Sequence, residues 1–242
     1  MQFFIKPGTE MQWYEYWKNF RLNWYINYGI KTEKLRLREH AKDELAHYAK
    51  GCADVEYEFP FGWSELEGIA NRTDFDLKAH SEGSGKSLAY FDEETKQHYF
   101  PYVIEPAAGA DRATLAFLIN AYDIEGEGKD ARTVLRFHPS LAPIKAAVLP
   151  LVKRDGMPEK AEKIYNDLLD NSIKSFYDLN SAIGRRYARQ DEAGTPFCIT
   201  VDSQSLEDDT VTLRERDSRE QTRVASSQVV DVISKKLKDS RK

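Results

Sequence analysis

The sequence predicts an α/β chain in two parts, and three observations carry the prediction. Beyond Pro143, strand-like and helix-like segments alternate, the pattern of an α/β domain with a mixed sheet. Ahead of it, one aromatic-rich helix pattern sits among short extended runs. Charge divides at the same place: residues 143–242 carry 18 Lys plus Arg against 17 Asp plus Glu, whereas residues 1–142 carry 17 against 23. An acidic first part beside a balanced, arginine-clustered second part suggests two domains with different partners. With 41% hydrophobic and 31% charged residues over 242 positions, the chain is globular rather than disordered and long enough for one or two domains.

Taken in order, MQFFI is apolar from its first residue and reads as a strand whose sheet neighbours lie upstream; PGTE is a turn. From Glu10 to Tyr28, Trp13, Trp17, Phe20 and Trp24 recur at spacings of three and four, so they share a helix face, and Gly29 is a stop signal. A second helix is predicted over Thr32–Lys50, ended by Gly51. ADVEYEFPFG and WSELEGIA are extended, and SLAYFD and HYFPYVIE are two further strands around a polar turn. A helix follows over Asp111–Ala121, then a polar loop, DIEGEGKDAR, and TVLRFHP leading out of it. The domain boundary is expected near Pro139–Pro143. Beyond it come strand KAAVLPLV, helix PEKAEKIYNDLLDNS, strand IKSFYDL, helix AIGRRYARQDEAG, strands FCITVD, TVTLRERD and QTRVA, and helix SQVVDVISKKLKD.

Several classes are excluded or demoted. Two distant cysteines, Cys52 and Cys198, suit a reducing, intracellular setting rather than a disulfide scaffold. The longest apolar run, AAVLPLV, is too short to span a bilayer, and MQFFIKPGTE does not read as a signal peptide. GSGKS at 83–87 lacks the leading glycine of a phosphate loop, because His80 stands in its place; a mobile surface loop is expected there. The five histidines show no metal-site spacing, and His40 and His47 are expected on one helix surface.

Two stretches carry chemistry. In ELEGIANRTDFDLKAH, strand alternation puts Glu65 and Glu67 on one face around Leu66, with Arg72, Asp74 and Asp76 close behind. Carboxylates facing a cavity can hold Mg²⁺ or an ammonium group, and a nearby guanidinium can fork onto a carboxylate or phosphate; a solvated strand edge with surface ion pairs is the plainer alternative. In YVIEPAAGADRATLAFL, the small residues Pro106, Ala107, Ala108, Gly109 and Ala110 let backbone approach a ligand closely, at a helix N-terminus suited to anions. Arg112 in that first turn opposes the helix dipole, which asks for a local reason such as an anionic or flat aromatic ligand.

Together GWSELEGIANRTDFDLKAH, PYVIEPAAGADRATLAFL, GRRYARQDEAGTPFCITVD and TVTLRERDSREQTRV resemble the dimeric type of glycyl-tRNA synthetase, a class IIa aminoacyl-tRNA synthetase, in order from about residue 1 to 238. The resemblance implies an α+β catalytic part with an antiparallel sheet over 1–140, then a mixed-sheet anticodon-binding domain over 141–242. It implies a cytoplasmic glycine–tRNA ligase that uses ATP and Mg²⁺, takes glycine and tRNA, and is a homodimer when intact. Arg112 would be the catalytic arginine on the adenine and phosphates. Glu65 and Leu66, with Gly109, Ala110 and Asp111, would contact ATP, and Glu65 would meet Mg²⁺ through it. Glu105 would hold the glycine ammonium, with Pro106, Ala107, Ala108, Gly109 and Arg72 around the substrate. Arg185, Arg186, Arg214, Arg216 and Arg219, with Arg189 and Arg223 near in sequence, would meet tRNA. The family often has Ser at Ala107, so one hydroxyl contact is missing. The family's first two class II signatures lie upstream of the part that Met1 opens, so the chain is expected to resemble the C-terminal portion and to activate glycine poorly alone. A non-catalytic, tRNA-binding synthetase-like module is the competing reading.

Overall fold

The computed structural model describes residues 1–128 and 131–240. The chain forms two compact units, Met1–Ala116 and Phe117–Lys242. Unit 1 contains β1 (Phe3–Ile5), α1 (Glu10–Asn27), β2 (Leu35–Glu39), β3 (Gly51–Phe59), β4 (Gly62–Thr73), α2 (Phe75–Ser84), β5 (Tyr90–Asp92), β6 (Gln97–Tyr99), β7 (Tyr102–Ala108) and the start of α3 (Ala110–Ala121). Its main sheet runs β1-β7-β4-β3-β2 and is antiparallel throughout, with β5 and β6 a separate hairpin.

One face of that sheet is closed by α1. The helix turns Tyr14, Lys18 and Tyr25 inward at spacings of four and seven, while Trp13, Trp17 and Trp24 are half-buried beside them. The charged members of this inner face have partners. Lys18 meets Glu15 at 2.7 Å and also Glu39; Arg21 meets Glu67 at 2.6 Å; the Tyr25 hydroxyl donates to Glu67 at 2.8 Å. Ala53, Val55, Ile69 and Ile104 supply apolar contact, each at most 0% exposed.

Four expectations for unit 1 are corrected. The predicted helix over 32–50 is a 3₁₀ turn at Thr32–Lys34 followed by β2. Leu35 and Leu37 pair with Tyr57 and Val55, and Arg36 and Arg38 reach Glu56 at 2.6 and 3.1 Å, so cross-strand partners override helix propensity. His40 and His47 therefore share no helix surface. Strand β1 finds its neighbour downstream, in β7. HYFPYVIE divides into β6 and β7 at Pro101, whose nitrogen has no ladder donor. Gly83 and Ser84 close α2, and Gly85 is its left-handed cap at φ +67°. GSGKS thus leaves a helix C-terminus, whereas a phosphate loop leads into an N-terminus.

Unit 2 contains β8 (Tyr122–Glu125), β9 (Arg132–Leu135), β10 (Ala146–Pro150), α4 (Met157–Asp170), β11 (Ser175–Tyr177), α5 (Ile183–Ala193), β12 (Phe197–Val201), α6 (Ser203–Asp208), β13 (Thr210–Glu215), β14 (Gln221–Ala225) and α7 (Val229–Asp239). The sheet order is β11-β10-β12-β13-β14, parallel across its first three strands and antiparallel across the rest. The mixed α/β architecture is as predicted. Met157, Ala161, Ile164 and Leu168 recur at four, three and four along α4, and with Val229 and Ile233 of α7 they cover one sheet face. Ile183 and Tyr187 of α5 pack on the other, over Ala147, Leu149 and Cys198.

The expected polar loop after Ala121 is the β8–β9 hairpin, apart from Lys129 and Asp130, which lie outside the described residues. This hairpin, although it lies ahead of the expected 140/141 junction, is tied into unit 2. Arg132 donates to Asp191 at 2.9 Å and to the Arg216 carbonyl at 2.9 Å, and Arg214 holds the same aspartate at 2.9 and 3.1 Å. Asp191 is 1% exposed. Asp191→Asn removes the buried counter-charge that Arg214 and Arg132 share, leaving Arg132 with Glu125 alone at 2.7 Å, and we expect a loss of about 3–5 kcal/mol in urea unfolding of the chain. Glu93→Gln, at an ion pair 68% and 76% exposed, should change stability by less than about 0.5 kcal/mol.

Candidate functional site

The sheet face of unit 1 opposite α1 collects the predicted chemistry, and strand register explains how. Gly51, paired with Asn71, is on the helix side: a Cβ there would lie 3.4 Å from the Tyr14 ring. Alternation then puts Cys52 and Asp54 on the opposite side, with their partners Ala70 and Gly68, and with Glu105 and Ala107 of β7 opposite those in turn. Two rows result, Glu105–Ala70–Cys52 and Ala107–Gly68–Asp54. The floor between the carboxylates is made only of small residues. A Cβ on Gly68 would stand 3.3 Å from Glu65 Oε1 and 3.7 Å from Asp54 Oδ1.

Glu65 and Glu67 do not share a face. Val55 pairs with Glu67 and the next residue, Glu56, pairs with Glu65, so Leu66 is an extra residue in β4. This bulge turns Glu67 inward to Arg21 and Tyr25 at 2% exposure and leaves Glu65 exposed on the open side. Leu66 itself is 1% exposed, so its side chain is core.

A second extra residue positions Arg72. Asn71 pairs with Ile104 and Thr73 with Val103, leaving Arg72 unpaired ahead of Thr73 at φ +52°. Its guanidinium forks onto Asp76 at 2.6 and 2.9 Å, donates to Glu105 at 3.0 Å, and lies 4.0 Å from the Tyr48 ring centre. Asp76 raises the pKa of Arg72, and in return Arg72 holds the Asp76 carboxyl below its ordinary value. The structure thus brings together Arg72 and Glu105, the two residues expected at the ends of a small amino acid.

Small exposed residues Ala107, Ala108 and Gly109 lead into α3, while Pro106 is buried. Gly109 accepts the first helical hydrogen bond, from Ala113 at 2.9 Å. Arg112 is exposed and folds back over β4, donating to the Glu65 carbonyl and, at 2.5 Å, to Ser64 Oγ. Its guanidinium sits 5.0 Å from the Phe59 ring, which stacks on exposed Phe61. Asp111 is exposed beside it. Phe59, Tyr48 and Asp54 are site residues the sequence did not announce; the aromatic pair in EFPFG was the available signal.

Among the described residues, one group of three metal-type donors lies within 4.8 Å: His40, Cys52 and Asp54. Glu65 is not in it. Burial, then Asp54 and Glu65, push the Cys52 thiol up to about 11.

Of the arginines expected to meet RNA, three lie inside unit 2. Arg186 is 1% exposed and donates to the carbonyls of Pro150 and Leu151 at 2.6 and 3.0 Å. Arg214 is held by Asp191, and Arg216 by Asp217 and the Gly194 and Phe137 carbonyls. Burial against backbone carbonyls and carboxylates closes them to a phosphate. Arg185 is exposed, Arg189 is half-exposed against Asp178, Arg219 is exposed against Glu125, and Arg223 meets Asp202 at 2.7 Å. Arg189 and exposed Phe176 line a groove of about 580 Å³ with Asp178, Asn180, Gln190 and Glu192.

A family model described as an anticodon binding domain matches residues 145–236. The whole chain is similar to glycine–tRNA ligases. It is 54% identical to that of Macrococcus caseolyticus over 239 residues, 98% of this chain and 51% of the relative. It is 53% identical to that of Treponema denticola over 245 residues, 99% and 54%, and 52% identical to that of Clostridium tetani over 238 residues, 98% and 51%. The chain is homologous to the glycine–tRNA ligases. It spans about half the length of these curated relatives. Unit 2 carries the anticodon-binding domain of that homology. No helix among the described residues is long and apolar enough to cross a membrane.

The Arg72 cluster has a pH signature. Because the folded Asp76 carboxyl titrates below its ordinary 3.8, its contribution is fully present above that pH and fades as pH falls through the folded value. Asp76→Asn should cost about 1–2 kcal/mol at neutral pH, and the gap between the two proteins in urea unfolding should close as pH drops below 3.8. A gap constant down to pH 2 would mean that the charge of Asp76 contributes nothing.

Proposed function

We propose that this chain serves cytoplasmic glycine–tRNA ligation, binding glycine and ATP on unit 1 and the anticodon region of tRNA on unit 2. The reading rests above all on the side-by-side placement of Glu105 and Arg72 over a floor of Gly68, Ala70 and Ala107. Such a floor admits an amino acid with no side chain. Its ammonium would go to Glu105 and its carboxylate to the Arg72 guanidinium, and recognition of both ends in a narrow space is how glycine is told from alanine or serine.

ATP fits the neighbouring end of the face. The first amides of α3 and the exposed Arg112 offer donors and positive charge for phosphates, and the guanidinium plane beside Phe59 suits an adenine ring. Glu65 is an exposed carboxylate of the kind that hard cations take, so it suits a Mg²⁺ carried with the triphosphate. The chain's own residues would act by placing the glycine carboxylate against the α-phosphate and by offsetting charge there. In unit 2, Arg185 and the groove lined by Phe176 and Arg189 are the surfaces we assign to tRNA: a cation for phosphate and a ring for an unstacked base. In the intact ligase we expect this chain's counterpart to work as a homodimer.

The direct test is calorimetric binding of a non-hydrolysable glycyl-adenylate analogue to the purified chain. Glu105→Gln and Arg112→Ala should each weaken it roughly 10- to 100-fold, the loss of one hydrogen bond to a charged group. Failure of the folded chain to bind the analogue, with tRNA binding intact, favours the non-catalytic nucleic-acid module instead. For unit 2, fluorescence anisotropy with glycine tRNA at several salt concentrations should show Arg185→Ala lowering affinity and reducing the log–log salt slope by about 1. An unchanged slope removes Arg185 from the interface.

A further inference from the structure

We propose that His40, Cys52 and Asp54 form a zinc-binding site. Their donor atoms, an imidazole nitrogen, a thiol sulfur and a carboxylate oxygen, all lie within 4.8 Å of one another. His40 Nε2 is 2.7 Å from Asp54 Oδ2. The three come from two paired strands. Cys52 and Asp54 are alternate residues of β3 and so face the same way, and His40 follows the last residue of β2, with its backbone N–H donating to the Cys52 carbonyl at 2.9 Å. That ladder bond fixes the spacing of the histidine and cysteine backbones, so the donors are held near each other before any ion arrives.

The donor chemistry selects the metal. Magnesium and calcium take oxygen ligands, whereas sulfur, imidazole and carboxylate together suit Zn²⁺ in a tetrahedral site. Thiolate and carboxylate carry two negative charges and neutralise the ion. On binding, the Cys52 S–H bond breaks, sulfur forms the bond to zinc, and one proton leaves to solvent. His40 would bind through Nε2, the ring nitrogen that faces Asp54, with the ring proton on Nδ1. Arg38 approaches Asp54 at 3.6 Å, but its stronger contacts are with Glu56 at 3.1 Å and Glu44 at 3.2 Å, so it can stay in place while Asp54 turns to the metal.

Three protein ligands leave a fourth position. Asp54 Oδ1 and Glu65 Oε1 both border the position that a Cβ on Gly68 would take. Gly68 is paired with Ala107 and so belongs to the floor proposed above for glycine, but the site does not rest on that assignment. Zinc there would staple the end of β2 to the start of β3, across the turns of residues 41–50.

The test uses the tag-free 242-residue chain, reduced, with Co²⁺ as a spectroscopic probe. We expect one equivalent of Co²⁺ to give a near-ultraviolet sulfur-to-cobalt charge-transfer band that one equivalent of Zn²⁺ abolishes. Cys52→Ser should remove the band, and His40→Gln should weaken Co²⁺ at least about tenfold, the lower end of losses seen even for outer-shell partners. Zinc should raise the melting temperature of the wild-type chain and not that of Cys52→Ser. Circular dichroism establishes that each variant is folded, and if Cys52→Ser is not, the His40→Gln titration decides. Absence of the charge-transfer band, a band that survives Cys52→Ser, or affinity unchanged in His40→Gln would each overturn the proposal.

Discussion

The chemistry of unit 1 depends on how β4 pairs with its two neighbours. An antiparallel strand assigns every side chain to one of two faces, and one face here is sealed by α1. An unbroken β4 would send Glu65 and Glu67 to the same side. Inserting Leu66 changes the parity, so one carboxylate anchors the helix and the other is left for solvent. Inserting Arg72 does the same at the far end, where the extra residue reaches both Glu105 on β7 and Asp76 on α2. Each insertion costs a ladder position and, at Thr73, a left-handed backbone. The gain is that residues on four different elements converge.

The sealed face shows why that convergence is stable. Helix α1 docks with Lys18 and Arg21 inward, where an apolar stripe would be the simpler solution. A buried ion pair adds little net stability over a hydrophobic contact, but a misplaced one is costly. Arg21 and Tyr25, one turn apart, can both satisfy Glu67 only if the helix sits at one depth and one rotation. The same carboxylate that the Leu66 bulge turns inward therefore fixes the helix, and the two devices act as one. Rigidity on the helix side is what lets the opposite side carry small residues and exposed charge without collapsing.

Unit 2 was legible in the sequence because its elements answer to local rules. The α4 residues Met157, Ala161, Ile164 and Leu168 announce a helix by period alone, and β10 and β12 are short apolar runs between turns. Unit 1 was legible in its hairpins and in the small-residue approach to α3, and illegible wherever a partner across the sheet decides the outcome. KLRLREHAKDELAHYAK is rich in helix formers, yet Leu35 and Leu37 find Tyr57 and Val55. The bulges leave no mark in composition. His40 and Cys52 look unrelated at a spacing of twelve residues and become neighbours only because one strand end is paired with the next strand. Arg186, Arg214 and Arg216 looked like an RNA-facing cluster because their acceptors, backbone carbonyls, Asp191 and Asp217, cannot be told from a list of charges.

That burial changes what the second unit can offer a polyanion. From residue 143 onward the cations exceed the anions by one, and several exposed arginines are already paired. So balanced a surface would offer an RNA partner few phosphate contacts, and each contact contributes a fixed share of the salt-dependent affinity. If unit 2 binds RNA as proposed above, recognition would lean on shape and on faces that accept unstacked bases, which depend little on ionic strength. The buried arginines serve that end indirectly. By tying the β8–β9 hairpin, α5 and the ends of the sheet into one body, they hold the groove of Phe176 and Arg189 to a fixed shape. Charge that cannot touch a ligand can still set the geometry of the surface that does.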